Sequence, residues 1–268
     1  MGGVKMANLN RIEKAIGHIP WFNKTQAEFL EQRVFPNLKP KNIVEIGTYQ
    51  GSGTCYLAEL AKDYGGHVTT IDIPWTGIPE DPTWTDPNLP NHPADQTVRQ
   101  DDPDRRVTVE ELLTRCKLKN VTTSRDGAEA WFLDYFQNKF MPSYGATHLI
   151  RRAQIDFIYL DAHNEFFKVG GKDKRESGYK WANTAAQFIM AFSSLRPGGW
   201  IVLDDLYHKD YPEIQAVWEN IVIPLTNQHY TADPKWMSET MKTTINVKKK
   251  PHYDHNRMWS TWGLACKN

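Results

Sequence analysis

Cysteine is scarce in this 268-residue chain: Cys55, Cys116 and Cys266 are all it has. An odd, scattered set argues against a disulfide framework and suits a reducing compartment. Long apolar runs are missing too. No stretch approaches the ~20 consecutive apolar residues that a membrane-spanning helix needs. Residues 1–20, MGGVKMANLNRIEKAIGHIP, lack the continuous apolar centre of a secretory signal. Charge excess is absent as well, since 32 basic side chains balance 32 acidic ones, so the total gives no pull toward nucleic acid or a membrane surface. The expectation is a soluble cytoplasmic protein with neither kind of partner, its self-association left open.

What is present is alternation. Apolar strand patterns recur at 42–47 (NIVEIG), 67–73 (HVTTIDI), 120–124 (NVTTS), 154–161 (QIDFIYLD) and 198–205 (GGWIVLDD). Helical periodicity fills most of the gaps, as in TVEELLTRCKL, GAEAWFLDYFQNKF and WANTAAQFIMAFSSL. Strands alternating with helices imply parallel crossovers, hence an α/β fold: an open, mostly parallel, doubly wound sheet. Residues 243–250 and 258–267 read as two further strands forming an antiparallel pair at one edge. The reading is one domain over 1–268, with N-terminal helices within 10–38 as a cap. Two loop insertions interrupt it, at about 74–106 and 164–180. Long ordered loops are often lids or substrate contacts.

The stretch IVEIGTYQGSGT (43–54) places an acid and three glycines directly after an apolar strand, with a helical pattern following. Strand, glycine turn and helix N-terminus together make a site where a ligand approaches the backbone closely. Glycine spacing departs from the dinucleotide form G-x-G-x-x-G, and no Gly-Lys-Ser/Thr follows, so a P-loop is excluded. Asp72 closes the second strand, where a carboxylate suits ribose hydroxyls.

In order, VEIGTYQGSGT, TIDI, IDFIYLDAHN and LRPGGWIVLDD resemble the successive motifs of class I S-adenosylmethionine-dependent methyltransferases over residues 40–222. The resemblance implies a Rossmann-like methyltransferase fold with S-adenosylmethionine as cofactor. It implies that Gly47, Thr48, Tyr49, Gly51 and Ser52 wrap the methionine part, with Glu45 beneath them. It further implies that Asp72 takes the ribose, that Asp126 edges the adenine, and that Asp161 lies on the cofactor side.

Two strand ends carry further acids: Asp161 and His163 in YLDAHN, Asp204 and Asp205 in VLDD. Three carboxylates sharing a small space repel unless something neutralises them. Their hard oxygens favour Mg²⁺ or another divalent cation, so Asp161, Asp204 and Asp205 are candidate metal ligands. His163 is the first candidate general base, with His208 and Asp161 as alternatives. DAHN followed by PGGWIVLDD resembles metal-dependent small-molecule O-methyltransferases, especially the macrocin type that methylates sugar hydroxyls. That resemblance implies a hydroxylated small-molecule acceptor such as a sugar or a phenol. Two alternatives stand beside it: a metal-independent methyltransferase acting on nitrogen or another acceptor, and a non-catalytic cofactor-binding protein.

Overall fold

Ile43, Val44 and Ile46 are buried in the first strand, β1 (Asn42–Ile46), and so is the acid between them, Glu45. The computed structural model describes residues 7–17, 22–48, 51–72, 97–99, 102–107, 109–124, 127–140, 155–161, 177–207, 211–232 and 262–268. The chain divides into two compact units, Met1–Asp134 and Tyr135–Asn268.

In the first unit, β1 pairs in parallel with β2 (His67–Ile71), which pairs in parallel with β5 (Val121–Ser124). Helix α4 (Ser52–Lys62) joins β1 to β2. It is buried along ten of its eleven residues, Ser52 to Ala61, as suits a helix covered on several sides. Ahead of β1 lie α1 (Leu9–Ile16) and α2 (Lys24–Phe29), the latter running through a π turn (Leu30–Val34) into α3 (Phe35–Leu38). Asn23 and Gln26 close a reciprocal capping box at the start of α2, satisfying donors that the first helical turn leaves open. Both helical stretches expected within 10–38 are therefore present. Helix α5 (Val109–Arg115) precedes β5.

The boundary falls within α6 (Ala128–Phe140). In the second unit, β6 (Ile155–Leu160) is buried at every position and pairs in parallel with β7 (Leu195–Leu203). A strand with no exposed residue is the mark of a sheet covered on both faces. Helix α7 (Ser177–Ser194) precedes β7, and α8 (Pro212–Val217) continues through a π turn (Trp218–Val222) into α9 (Ile223–Leu225). The chain closes with β8 (Gln228–Ala232) and β9 (Trp262–Cys266), antiparallel to each other, with β9 antiparallel to β7. The seven-stranded sheet has the order β5-β2-β1-β6-β7-β9-β8. This is the open α/β arrangement expected from the sequence, mostly parallel with an antiparallel C-terminal pair.

Three details differ from the sequence expectation. The partner of the last strand is Gln228–Ala232, a short and largely polar segment whose strand character comes from pairing with β9 rather than from its own pattern. Residues 243–250, expected to fill that place, lie outside the described residues. Within 74–106, where no element was expected, β3 (Thr97–Arg99) and β4 (Asp102–Val107) form an antiparallel pair. Finally, α7 begins at Ser177, inside the 164–180 segment read as a loop, because Gly178 and the charged residues before it mask the start of its apolar periodicity.

Candidate active site

The glycine turn is built by what it cannot accommodate. Gly47 follows β1 at φ 94°, its N–H donating to the Ile71 carbonyl at 2.9 Å. Gly51 is the N-cap of α4 at φ 78°, a left-handed conformation that a side chain strains, and a Cβ there would sit 3.2 Å from a Val109 methyl. Gly53 fails for a different reason. A Cβ on it would collide with Glu45 Oε1 and come within 3.4 Å of Phe22. Gly51 has no side chain with which to cap the start of α4, and a helix N-terminus is a place where an outside acceptor can bind.

Beneath the turn lies a buried network of hydroxyls. Thr54 donates to Glu45 Oε2, and so does Thr70, at 2.7 Å. Thr48 and Thr70 are joined through their hydroxyls at 2.5 Å, and Thr54 reaches Thr70 at 3.5 Å. All four side chains are buried. Thr70 lies opposite Glu45 in the β1–β2 register. Two residues on, Asp72 leaves β2 half-buried, its N–H donating to the Ser124 carbonyl at 3.1 Å. Of the expected cofactor residues, Glu45, Gly47, Thr48, Gly51, Ser52 and Asp72 thus gather at the carboxyl ends of β1 and β2 and the start of α4. Tyr49 and Asp126 lie outside the described residues. Cys55, one turn into α4, is buried, and its thiol is pushed well above the usual range by its hydrogen bond with Cys116 and then by burial. That holds it as a neutral packing group rather than a reactive thiolate.

The second unit carries the acids. Asp204 follows β7 and is buried; its N–H donates to the Leu160 carbonyl at 3.0 Å, extending the β6–β7 ladder by one residue. Its Oδ2 accepts from the Tyr159 hydroxyl and its Oδ1 from the Asp205 N–H at 2.7 Å. Burial pushes the Asp204 carboxyl well above the usual range, and the charges of Asp161 and Asp205 push it the same way. Tyr159 is raised as well, by burial and then by Asp204, Asp161 and Asp205. Asp205 itself holds a left-handed backbone, φ 52°, which aspartate tolerates better than most residues and which recurs at functional sites. Asp161, Asp204 and Asp205 are therefore electrostatic neighbours at the carboxyl ends of β6 and β7. His163 and His208 lie outside the described residues.

Among the described residues, no group of three or more histidine, cysteine, aspartate or glutamate side chains is arranged around a point that would hold a metal ion. The donor chemistry nonetheless suits one. The three acids offer hard oxygens, a second lone pair remains on each Asp204 oxygen, and a cation would relieve the repulsion that raises Asp204.

A family model described as a methyltransferase domain matches residues 44–206. The chain belongs to the methyltransferase-domain family. It is a class I S-adenosylmethionine-dependent methyltransferase. Solved structures agree on the fold. An O-methyltransferase from Bacillus cereus, solved in complex with S-adenosylhomocysteine, is 18% identical with TM-score 0.53, covering 96% of this chain and 91% of that one. The O-methyltransferase TomG from Streptomyces achromogenes, involved in tomaymycin synthesis and solved with S-adenosylmethionine, is 14% identical with TM-score 0.51, covering 99% and 92%. No curated protein matches the sequence. Among the described residues, no helix of this methyltransferase is long and apolar enough to cross a membrane.

Sequence reasoning missed Thr54, Thr70 and Tyr159. Tyr159 had a signal: it stands two residues before Asp161, on the same face of an extended strand. Thr70 stands likewise two residues before Asp72.

Proposed function

We propose that this methyltransferase moves the methyl group of S-adenosylmethionine to a hydroxyl of a small molecule, a sugar or phenol in the manner of the macrocin-type enzymes, assisted by a divalent cation. One observation carries the reading: a buried acid, Asp204, crowded by Asp161 and Asp205 at two adjacent strand ends. The Bacillus cereus and TomG structures being O-methyltransferases supports the same acceptor class.

The Gly47–Gly53 turn and the start of α4 would cradle the methionine part of the cofactor, and Asp72 would accept from its ribose hydroxyls. Asp161, Asp204 and Asp205 would hold the cation, which when bound lowers the proton affinity of a coordinated hydroxyl. The remaining task of the chain is alignment, worth about 7–11 kcal/mol in favourable cases, and removal of one proton from the acceptor oxygen. His163 is the proposed base, with Asp161 and His208 as the other candidates.

A second reading, metal-independent transfer to nitrogen or another acceptor, draws on the two donors that Asp204 already has in Tyr159 and the Asp205 N–H. Thermal unfolding separates the two. S-adenosylhomocysteine at a hundredfold excess over its Kd should add about 2.7 kcal/mol of stability, and NAD none. Magnesium should add a further shift that chelator and Asp204→Ala both abolish. A shift with S-adenosylhomocysteine and none with any divalent cation would leave the metal-independent reading. S-adenosylhomocysteine release across a panel of hydroxylated acceptors, with and without chelator, then identifies the acceptor.

A further inference from the structure

The hydroxyls around Glu45 have a direction. As a carboxylate, Glu45 can only accept, so Thr54 and Thr70 each spend their single proton on its Oε2. Thr70 then has no proton left for Thr48, and the Thr48–Thr70 bond must run from the Thr48 hydroxyl to the Thr70 oxygen. The result is an ordered chain, Thr48 to Thr70 to Glu45, spanning the residue after Gly47, the carboxyl end of β2 and the acid of β1. Such chains polarise one another, so each oxygen upstream becomes a stronger acceptor. Thr48, having given its proton inward, presents only lone pairs to anything else that meets its oxygen.

We infer that Thr70 is a positioning residue for S-adenosylmethionine: through its hydroxyl it locks Thr48 and Glu45 into the geometry that receives the cationic ammonium of the methionine part. The inference rests on that cofactor being the ligand of the glycine turn, and on neither the metal nor the acceptor. Thr70 is fully buried, and among the described residues its side-chain hydrogen bonds run to Glu45, Thr48 and Thr54. Its neighbour in register on the other side is Thr123 of β5. It acts through Thr48 and Glu45 rather than by touching ligand.

The test is S-adenosylhomocysteine affinity by calorimetry on the whole chain, alongside the melting midpoint without ligand. Thr70→Val keeps the shape and deletes the relay; Kd should rise about tenfold or more. Thr70→Ser keeps the hydroxyl and should restore binding to within about twofold. Simple packing would reverse that order, because serine loses the methyl and valine does not. Thr70→Val binding as tightly as wild type, or Thr70→Ser as weakly as Thr70→Val, overturns the inference. If Thr70→Val does not fold, Thr48→Val decides: a tenfold loss supports the chain, and unchanged affinity overturns it. Failure of the wild type to bind S-adenosylhomocysteine at millimolar concentration would remove the cofactor assignment of the turn, and the inference with it.

Discussion

Glu45 and Asp204 are both buried acids at the carboxyl ends of parallel strands, and their surroundings are opposites. Glu45 lies among donors: Thr54 and Thr70 give it their protons, and Thr48 orders itself behind them. Asp204 lies among acids, its pKa raised by burial and then by Asp161 and Asp205, with Tyr159 and one backbone N–H in its favour among the described residues. A buried charge survives only when paired or hydrogen-bonded. Glu45 meets that condition inside the protein and reads as a fixed part of the scaffold. Asp204 meets it poorly, and unfavourable local chemistry is where functional groups concentrate.

The largest effect should separate the two regions by activity. Asp205→Asn keeps a residue that tolerates the left-handed backbone but removes a charge from the acid cluster. If Asp205 holds the proposed cation, losing it would forfeit several kcal/mol of transition-state stabilisation, so turnover on the acceptor should fall about 10²–10⁴-fold. S-adenosylhomocysteine affinity should stay within about twofold. Turnover near wild type, with or without chelator, would take Asp205 out of the chemistry.

Next comes stability on the scaffold side. Glu45→Ala strands the hydroxyls of Thr54 and Thr70 and opens a cavity under α4. Each stranded donor costs about 1–3 kcal/mol and the cavity adds to it, so a loss on the order of 3 kcal/mol is expected from denaturant unfolding. Glu45→Gln retains an acceptor oxygen and should lose less. Equal losses would mean that the hydroxyls have other partners and the network is incidental.

Gly53→Ala probes the same region from above. Its new Cβ meets Glu45 Oε1, on a carboxylate whose other oxygen, Oε2, is held by Thr54 and Thr70. Overpacking of this kind costs about 1–3 kcal/mol, and the displaced carboxylate should weaken S-adenosylhomocysteine binding. Gly65→Ala is the control, since nothing lies within 4 Å of a Cβ there and only its φ of 64° is unfavourable. If both variants lose stability equally while binding is intact, the close approach of Gly53 to Glu45 has no functional weight.

These contrasts also mark what the sequence could tell. NIVEIG, HVTTID and IDFIYLD were legible because buried strands are continuous apolar runs, and the glycines after β1 announced a turn. The acids at 161, 204 and 205 were legible because each closes such a run. The Thr70–Glu45 and Tyr159–Asp204 bonds were not, since the partners are 25 and 45 residues apart and only strand register unites them. Strand β8 was missed for a related reason. QHYTA has little pattern of its own and becomes a strand by pairing with WGLAC. The helix at 212–217 went unassigned although Pro212 opens it in the favoured first turn.

The smallest effect tests the acid side by pH. Burial and then Asp161 and Asp205 raise the folded-state pKa of Asp204 above its unfolded value of about 3.8. The folded protein therefore holds that proton more tightly than the unfolded chain does. The stability this contributes is complete below about pH 3.8 and is lost as pH rises through the folded-state value. Asparagine does not titrate and keeps an acceptor for Tyr159. In chelator, Asp204→Asn should thus gain on wild type as pH climbs from about 4 toward 8. The gain is read as a higher Tm for the variant that widens with pH. On the proposed metal-assisted reading, excess magnesium should shrink or reverse the gap, because a cation there would stabilise the charged acid and have less to hold in the asparagine variant. A gap that stays flat with pH would show that Tyr159 and the Asp205 N–H already compensate the charge, and Asp204 would then resemble Glu45 rather than oppose it.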